Sequence, residues 1–192
     1  MISVYYDYAS PWSYLASELV EKKLPGETID WRPIYLRGLP QFREGMPYSA
    51  AKLRYLGLDL LRCAEHEGVP VRFPSVFPVN GLYAVRGALA ARALEAFSVY
   101  HAAMFRAAWR DDRDVSRPEV VVEVAAAAGL DRERFTALLH APATKEQLRA
   151  DTAAAEARGV FGVPSFFVGD ELFWGHDRMD YVARAAARIS HR

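Results

Sequence analysis

Ile2, Val4 and Tyr6 alternate with Ser3, Tyr5 and Asp7, the period-two pattern of a strand. Almost at once the chain reads Ser10-Pro11, followed by Trp12, Leu15, Ala16, Leu19 and Val20 at helical spacing. Proline suits the first helical position, where its missing N–H costs nothing, and Ser10 suits the N-cap. Pro25-Gly26 ends that helix, and Thr28 to Tyr35 reads as a second strand stopped by Arg37-Gly38-Leu39-Pro40. This order predicts a right-handed βαβ unit with parallel strands. Ser10 and Ser13 stand i, i+3 at the mouth of the helix, the spacing of a redox C-x-x-C. Serine keeps a hydroxyl donor at a helix N-terminus but gives up disulfide chemistry. An active site here must obtain its sulfur from a cofactor.

Beyond Pro47 the character changes. Helical patterns follow one another over Ala51–Glu67, Gly81–Glu95, Phe97–Arg110, Pro118–Ala128, Arg132–Leu139 and Thr144–Arg158, with breakers such as Gly68-Val69-Pro70 and Ala141-Pro142 between them. The alanines reflect helix propensity and close packing, not a sequence repeat. The last residues return to sheet. Ser165-Phe166-Phe167-Val168, the turn pair Gly169-Asp170 and Glu171-Leu172-Phe173-Trp174 predict a tight hairpin. Asp177 is expected to open a final helix with Met179, Val182, Ala183, Ala186 and Ile189 on one face. The element order βαβ…ββα, split by helices, predicts an α/β chain with a thioredoxin-like fold and a large all-helical insertion. The sheet domain comprises residues 1–46 plus 159–192, and the insertion residues 47–158.

Gly162-Val163-Pro164-Ser165 bears on the same point. A proline just before a strand cannot donate to the ladder and belongs at its start or in a special turn. Taken alone, a trans bond is the commoner state, since about 5–6% of X–Pro bonds in folded proteins are cis. Beside Ser10-Pro11 and a ββα tail, Pro164 is expected to be cis, facing the first helix.

Composition excludes several classes of function. Lys+Arg and Asp+Glu are equal at 24 each, which gives no electrostatic case for nucleic acid or an anionic membrane. No apolar run reaches the roughly 18 residues of a membrane span. No secretory signal is visible, and Cys63 is the only cysteine, so no intrachain disulfide is possible and a cytoplasmic setting is expected. The five histidines, at 66, 101, 140, 176 and 191, lack metal-ligand spacing; no metal site is expected, and most are read as surface residues. Cys63 is read as a small buried hydrophobe.

Asp7-Tyr8-Ala9-Ser10-Pro11-Trp12-Ser13-Tyr14-Leu15-Ala16 resembles the opening of the 2-hydroxychromene-2-carboxylate isomerases and their relatives, the kappa-class glutathione transferases. Gly159 to Val168 and Phe173-Trp174-Gly175-His176-Asp177-Arg178 are similar to the same group's C-terminal signature. Tyr55 to Leu60 and Gly68 to Pro74 are similar to its insertion. The resemblance implies a glutathione-dependent isomerase acting on a small aromatic carboxylate, and a homodimer. It implies that Ser10 holds the glutathione sulfur as catalytic anchor and that the Val163 backbone pairs with the cysteinyl part. Trp174, Gly175, His176 and Asp177 match the loop that holds the γ-glutamyl end. The physical sense is clear: a hydroxyl donating to a thiolate at a helix N-terminus lowers a thiol from about 8.5.

Each residue also has a plainer explanation. Ser10 alone is a helix cap worth about 1 kcal/mol, and Asp177 alone is a helix starter. The conjunction of motifs raises both above that level. For the second substrate, Lys52, Tyr55 and Asn80 are candidates, a lysine or arginine taking the carboxylate and a tyrosine or asparagine the ring oxygen. Two other functions fit the same sequence: a kappa-like glutathione transferase, or a non-catalytic thioredoxin-fold binding protein in which the serines mark decay.

Overall fold

The computed structural model describes residues 1–190. Strand β1 (Ile2–Tyr6) leads into α1 (Pro11–Lys23) and β2 (Ile29–Pro33), after which two short 3-10 turns (Leu36–Gly38 and Pro40–Phe42) lead to α2 (Ala50–Glu67). Five further helices follow: α3 (Leu82–Ala93), α4 (Phe97–Trp109), α5 (Pro118–Ala127), α6 (Arg132–His140) and α7 (Pro142–Ala157). The hairpin β3 (Ser165–Val168) and β4 (Glu171–Trp174) and the last helix α8 (Met179–Ser190) close the chain.

The four strands form one sheet in the order β2-β1-β3-β4. β1 and β2 are parallel, with Val4 opposite Trp31, and β3 lies antiparallel on the other side of β1, with Val4 opposite Phe166. This is the predicted thioredoxin-type sheet, with α2 to α7 inserted between β2 and β3. Two departures from the expected boundaries have local causes. Pro142 does not break α7 but starts it, because the first helical position needs no N–H. Asp177 does not open α8: Gly175, at φ 104°, turns the chain into a separate 3-10 turn over His176–Arg178, and α8 begins at Met179.

Strand alternation divides β1 between two cores. Ile2, Val4 and Tyr6 join Phe166, Val168 and the apolar faces of α1, α3, α4 and α8 in the main core. Tyr5 points the other way and packs with Phe167, with Ala155 of α7, and with Leu39 and Phe42 of the β2–α2 connection. The aromatic run at the N-terminus is therefore largely scaffold, since Tyr6, Tyr8 and Tyr14 are fully buried. His101 is an exception among the histidines, most of which are expected at the surface. It is buried, with Nδ1 3.1 Å from the Tyr8 hydroxyl and Nε2 3.2 Å from Ser17 Oγ. Burial pushes its imidazole down to about 3, so it is neutral at ordinary pH. His191 lies outside the described residues. Among the described residues no helix is long and apolar enough to cross a membrane.

The alanine-rich α3 packs closely because small residues let its neighbours approach, and Gly87 is the extreme case. A Cβ there would sit 2.0 Å from the hydroxyl of Tyr100, itself fixed by donating to Ala84 O at 2.8 Å. Alanine is about 1 kcal/mol better than glycine inside a helix, but overpacking costs about 1–3 kcal/mol. Gly87→Ala should therefore lower the urea midpoint, and adding Tyr100→Phe should recover part of the loss. A Gly87→Ala protein as stable as the parent would contradict this contact.

Candidate active site

Ser10 sits at the junction of β1 and α1 with only 4% of its surface exposed. Its backbone is extended (φ −96°, ψ 118°), and its Oγ accepts from Ser13 N–H at 3.2 Å as the helix cap. Its single hydroxyl proton is directed at the carbonyl of Val163, 3.3 Å away. The Val163–Pro164 peptide is cis, and the Pro164 carbonyl accepts from Gly175 N–H at 3.0 Å. The start of α1, the approach to β3 and the end of β4 thus meet at one point. Ser13 is fully buried, and its hydroxyl has no hydrogen-bond partner among the described residues.

Ser10 and Val163 border a cavity of about 170 Å³. Its walls are mostly apolar and come from α1 (Trp12), the β2–α2 connection (Phe42, Met46, Tyr48), α2 (Leu53, Leu56, Leu60) and the α2–α3 connection (Phe73, Phe77, Val79). Of the residues expected from sequence, Ser10, Val163, Trp174 and Lys52 line it. Lys52 Nζ lies 4.0 Å above the Tyr48 ring. Tyr55 does not line the cavity: it is exposed and donates to Asp59 at 3.1 Å. Asn80 is not on the wall either. Its Oδ1 accepts from the Tyr35 hydroxyl and from Leu82 N–H, both at 3.2 Å, so it steadies Tyr35, which is on the wall. Phe77–Pro78 is a second cis peptide that the sequence reading does not anticipate.

His176 and Asp177 border a neighbouring depression together with Lys23, Cys63 and Glu67. The two hollows adjoin through a stack, the rings of Trp12 and His176 lying 5.1 Å apart and only 8° from parallel. Desolvation by that packing lowers His176, favouring the neutral ring. Glycine suits position 175 next to it, since the backbone there stands at φ 104°, where a side chain would be strained. Asp177 itself is open to solvent and pairs with Arg178 at 3.2 Å. Cys63 is part-buried, not a core residue, and burial together with Asp59 pushes its thiol up, away from nucleophilic use.

Two charged residues on the cavity wall were not singled out by sequence: Asp7 and Arg37. Asp7 is 1% exposed. Its Oδ1 accepts from Ala9 N–H at 2.9 Å and its Oδ2 from Leu36 N–H at 2.8 Å. Gly81, at the start of α3, closes over it so tightly that a Cβ would fall 1.9 Å from Oδ1. A charged residue at the end of a buried strand was the available signal; Arg37, in a short turn, left none.

Three comparisons bear on this geometry. Residues 1–187 match the model of the DSBA-like thioredoxin domain. A 2-hydroxychromene-2-carboxylate isomerase of Pseudomonas putida is 32% identical, over 98% of this chain and 95% of that protein. The chain belongs to the 2-hydroxychromene-2-carboxylate isomerase family of DsbA-like proteins. The solved structure of one such isomerase superposes with a TM-score of 0.85 at 31% identity, covering 99% of this chain and 96% of that one. Human glutathione S-transferase kappa 1 is 26% identical over 95% of this chain and 88% of its own length. As a member of this isomerase family the chain is an enzyme.

Burial pushes the Asp7 carboxyl from 3.8 up to about 6, against the opposing pull of its two N–H bonds and Arg37. A carboxyl raised by folding favours the protonated folded state. Its contribution to stability is complete below the unfolded value and is lost as pH rises through about 6. Urea unfolding from pH 7.5 to 4.5 should therefore show the parent gaining stability relative to Asp7→Asn as pH falls, by about 1 kcal/mol per unit below the folded value. A pH-independent difference between the two would contradict a raised carboxyl at Asp7.

Proposed function

We propose that this chain is a glutathione-dependent isomerase that interconverts 2-hydroxychromene-2-carboxylate-like compounds and trans-o-hydroxybenzylidenepyruvate. The observation that carries the reading is Ser10, a buried hydroxyl capping α1 at the edge of an apolar cavity and beside the Val163 carbonyl. Bound glutathione would supply a thiolate whose reversible addition to the conjugated double bond of the ring-opened compound permits rotation before elimination. That chemistry has no net redox change, consistent with serine at both positions of the C-x-x-C frame.

The donor set suits a thiol-bearing peptide. The N-terminus of α1 carries a partial positive charge, and Ser10 can add a hydrogen bond to an anion placed there. Ser10 has one proton, so donating it to sulfur means turning it away from Val163 O. That same turn releases the Val163 carbonyl to accept a peptide N–H. Ser10 is an anchor and not a nucleophile, because among the described residues its side chain is partnered by Ser13 N–H and Val163 O, and neither is a general base. Trp174, Gly175, His176 and Asp177 would hold the γ-glutamyl end, with the exposed Asp177 carboxylate taking the α-ammonium. The adjoining hollows on either side of the Trp12–His176 stack give an extended tripeptide a path from Ser10 to Asp177. Lys52 is left on the wall for an anionic group of the ligands. A reducing compartment suits a free thiol cofactor and a chain with one cysteine.

Ser10→Ala should cost about 100-fold or more in glutathione-dependent turnover, the scale for losing one donor to a reacting anion. The thiol of bound glutathione, followed by thiolate absorbance, should titrate back towards about 8.5. Full turnover in Ser10→Ala would overturn the assignment. Mass spectrometry of the products decides among the rivals. An unchanged substrate mass with regenerated thiol supports the isomerase, and a released conjugate points to the kappa-like transferase. Failure of calorimetry to detect any glutathione binding points to a non-catalytic binding protein.

A further inference from the structure

The cavity beside Ser10 holds three charged side chains, Asp7, Arg37 and Lys52, in a wall that is otherwise largely apolar. Two of them already have defined partners. Each Asp7 oxygen accepts a backbone N–H, and Lys52 lies over the face of Tyr48. Arg37 differs: its guanidinium makes no hydrogen bond or ion pair with any described residue, and feels the Asp7 carboxylate only at longer range. Several arginines elsewhere on this chain do find acceptors, as Arg32 does with Asp30 at 2.6 Å and Arg113 with Glu123 at 2.6 Å. A half-buried guanidinium left unpaired on an apolar wall is poorly placed for stability and well placed for a planar anion.

The backbone that carries it is tied to that of Ser10 through one group. Asp7 holds Ala9 N–H, one residue before Ser10, and Leu36 N–H, one residue before Arg37. The turns that carry Ser10 and Arg37 are therefore anchored on the two oxygens of the same carboxylate. We propose that Arg37 is the specificity residue for the second substrate, taking its carboxylate in a two-point pair while the aromatic part lies against Leu53, Leu56, Phe73 and Phe77. This rests on the isomerase reading for the identity of the substrate, and the carboxylate preference itself is measurable without it. Arginine supplies what Lys52 cannot, a flat fork matched to a carboxylate.

The test uses 2-hydroxycinnamate and its amide as binding probes, by calorimetry, on the full chain with and without glutathione. The parent should bind the acid at least 10-fold more tightly than the amide. Arg37→Met should remove that preference, and Arg37→Lys should restore part of it. Glutathione affinity should be the same in all three, with circular dichroism and melting curves to verify folding. Retention of the full preference in Arg37→Met, or no preference in the parent, overturns the proposal. So does a loss of glutathione affinity in Arg37→Met, which would make Arg37 a ligand for the tripeptide. A parent that binds no glutathione yet prefers the acid through Arg37 would overturn the isomerase reading and leave this inference standing.

Discussion

The arrangement of this site depends on the carboxylate of Asp7. Where β1 ends, the chain must leave the sheet and deliver Ser10 to the head of α1; where β2 ends, it must turn towards the helical layer. Both departures leave a backbone N–H inside the protein, at Ala9 and at Leu36, and each is answered by one Asp7 oxygen. A buried N–H without a partner costs about 1–3 kcal/mol, so one side chain removes two such penalties at adjoining turns. Its own desolvation is the counter-cost and appears as the raised carboxyl value. Gly81 belongs to the same constraint, because no larger residue can stand at the start of α3 with the carboxylate in place.

The neighbouring polar groups play a different part. Tyr6, Tyr8, His101 and Ser17 form a buried chain of hydrogen bonds joining β1, α4 and α1. Their hydroxyls and imidazole are held neutral by desolvation, as the raised tyrosines and the lowered histidine record. Neutral partners can be buried without a counter-ion, so this network fixes the helical layer against the sheet without adding charge near the cavity. Asp7 is the exception in this neighbourhood, and it is the group that faces the cavity.

The sequence made much of this fold legible because its signals were local. Ser10-Pro11 encodes a cap and a first turn within two residues, Gly169-Asp170 a hairpin, and the alternation of β1 its two faces. Ser10, Val163 and Trp174 were reachable for the same reason, as parts of short motifs in a fixed order. The rest depended on distance. Asp7 acts on Leu36 and is closed by Gly81, contacts that no periodicity records. Tyr55 and Asn80 carry suitable chemistry, yet helix phase sends one outwards to Asp59 and a turn commits the other to Tyr35 and Leu82. The 3-10 turn before α8 follows from the conformation of Gly175, which a run such as Trp174-Gly175-His176-Asp177 permits but does not require.

The charges around the cavity carry the argument one step further. On the proposed reading, two anionic groups, a thiolate and a carboxylate, approach each other inside a mostly apolar wall. Like charges at short range repel strongly where water is excluded, so such a cavity must supply more positive charge than negative. Arg37, Lys52 and the N-terminus of α1 are on the positive side, and Asp7 is on the other. An ionised Asp7 would oppose anion entry, but each of its oxygens is tied to an N–H, and its affinity for a proton is already raised. The carboxylate that anchors the turns carrying both cationic features is thus also one whose affinity for a proton is raised. Replacing the C-x-x-C cysteines by serines fits that balance: a resident thiolate at the head of α1 would occupy the positive end of the helix, whereas neutral hydroxyls leave it to an incoming anion.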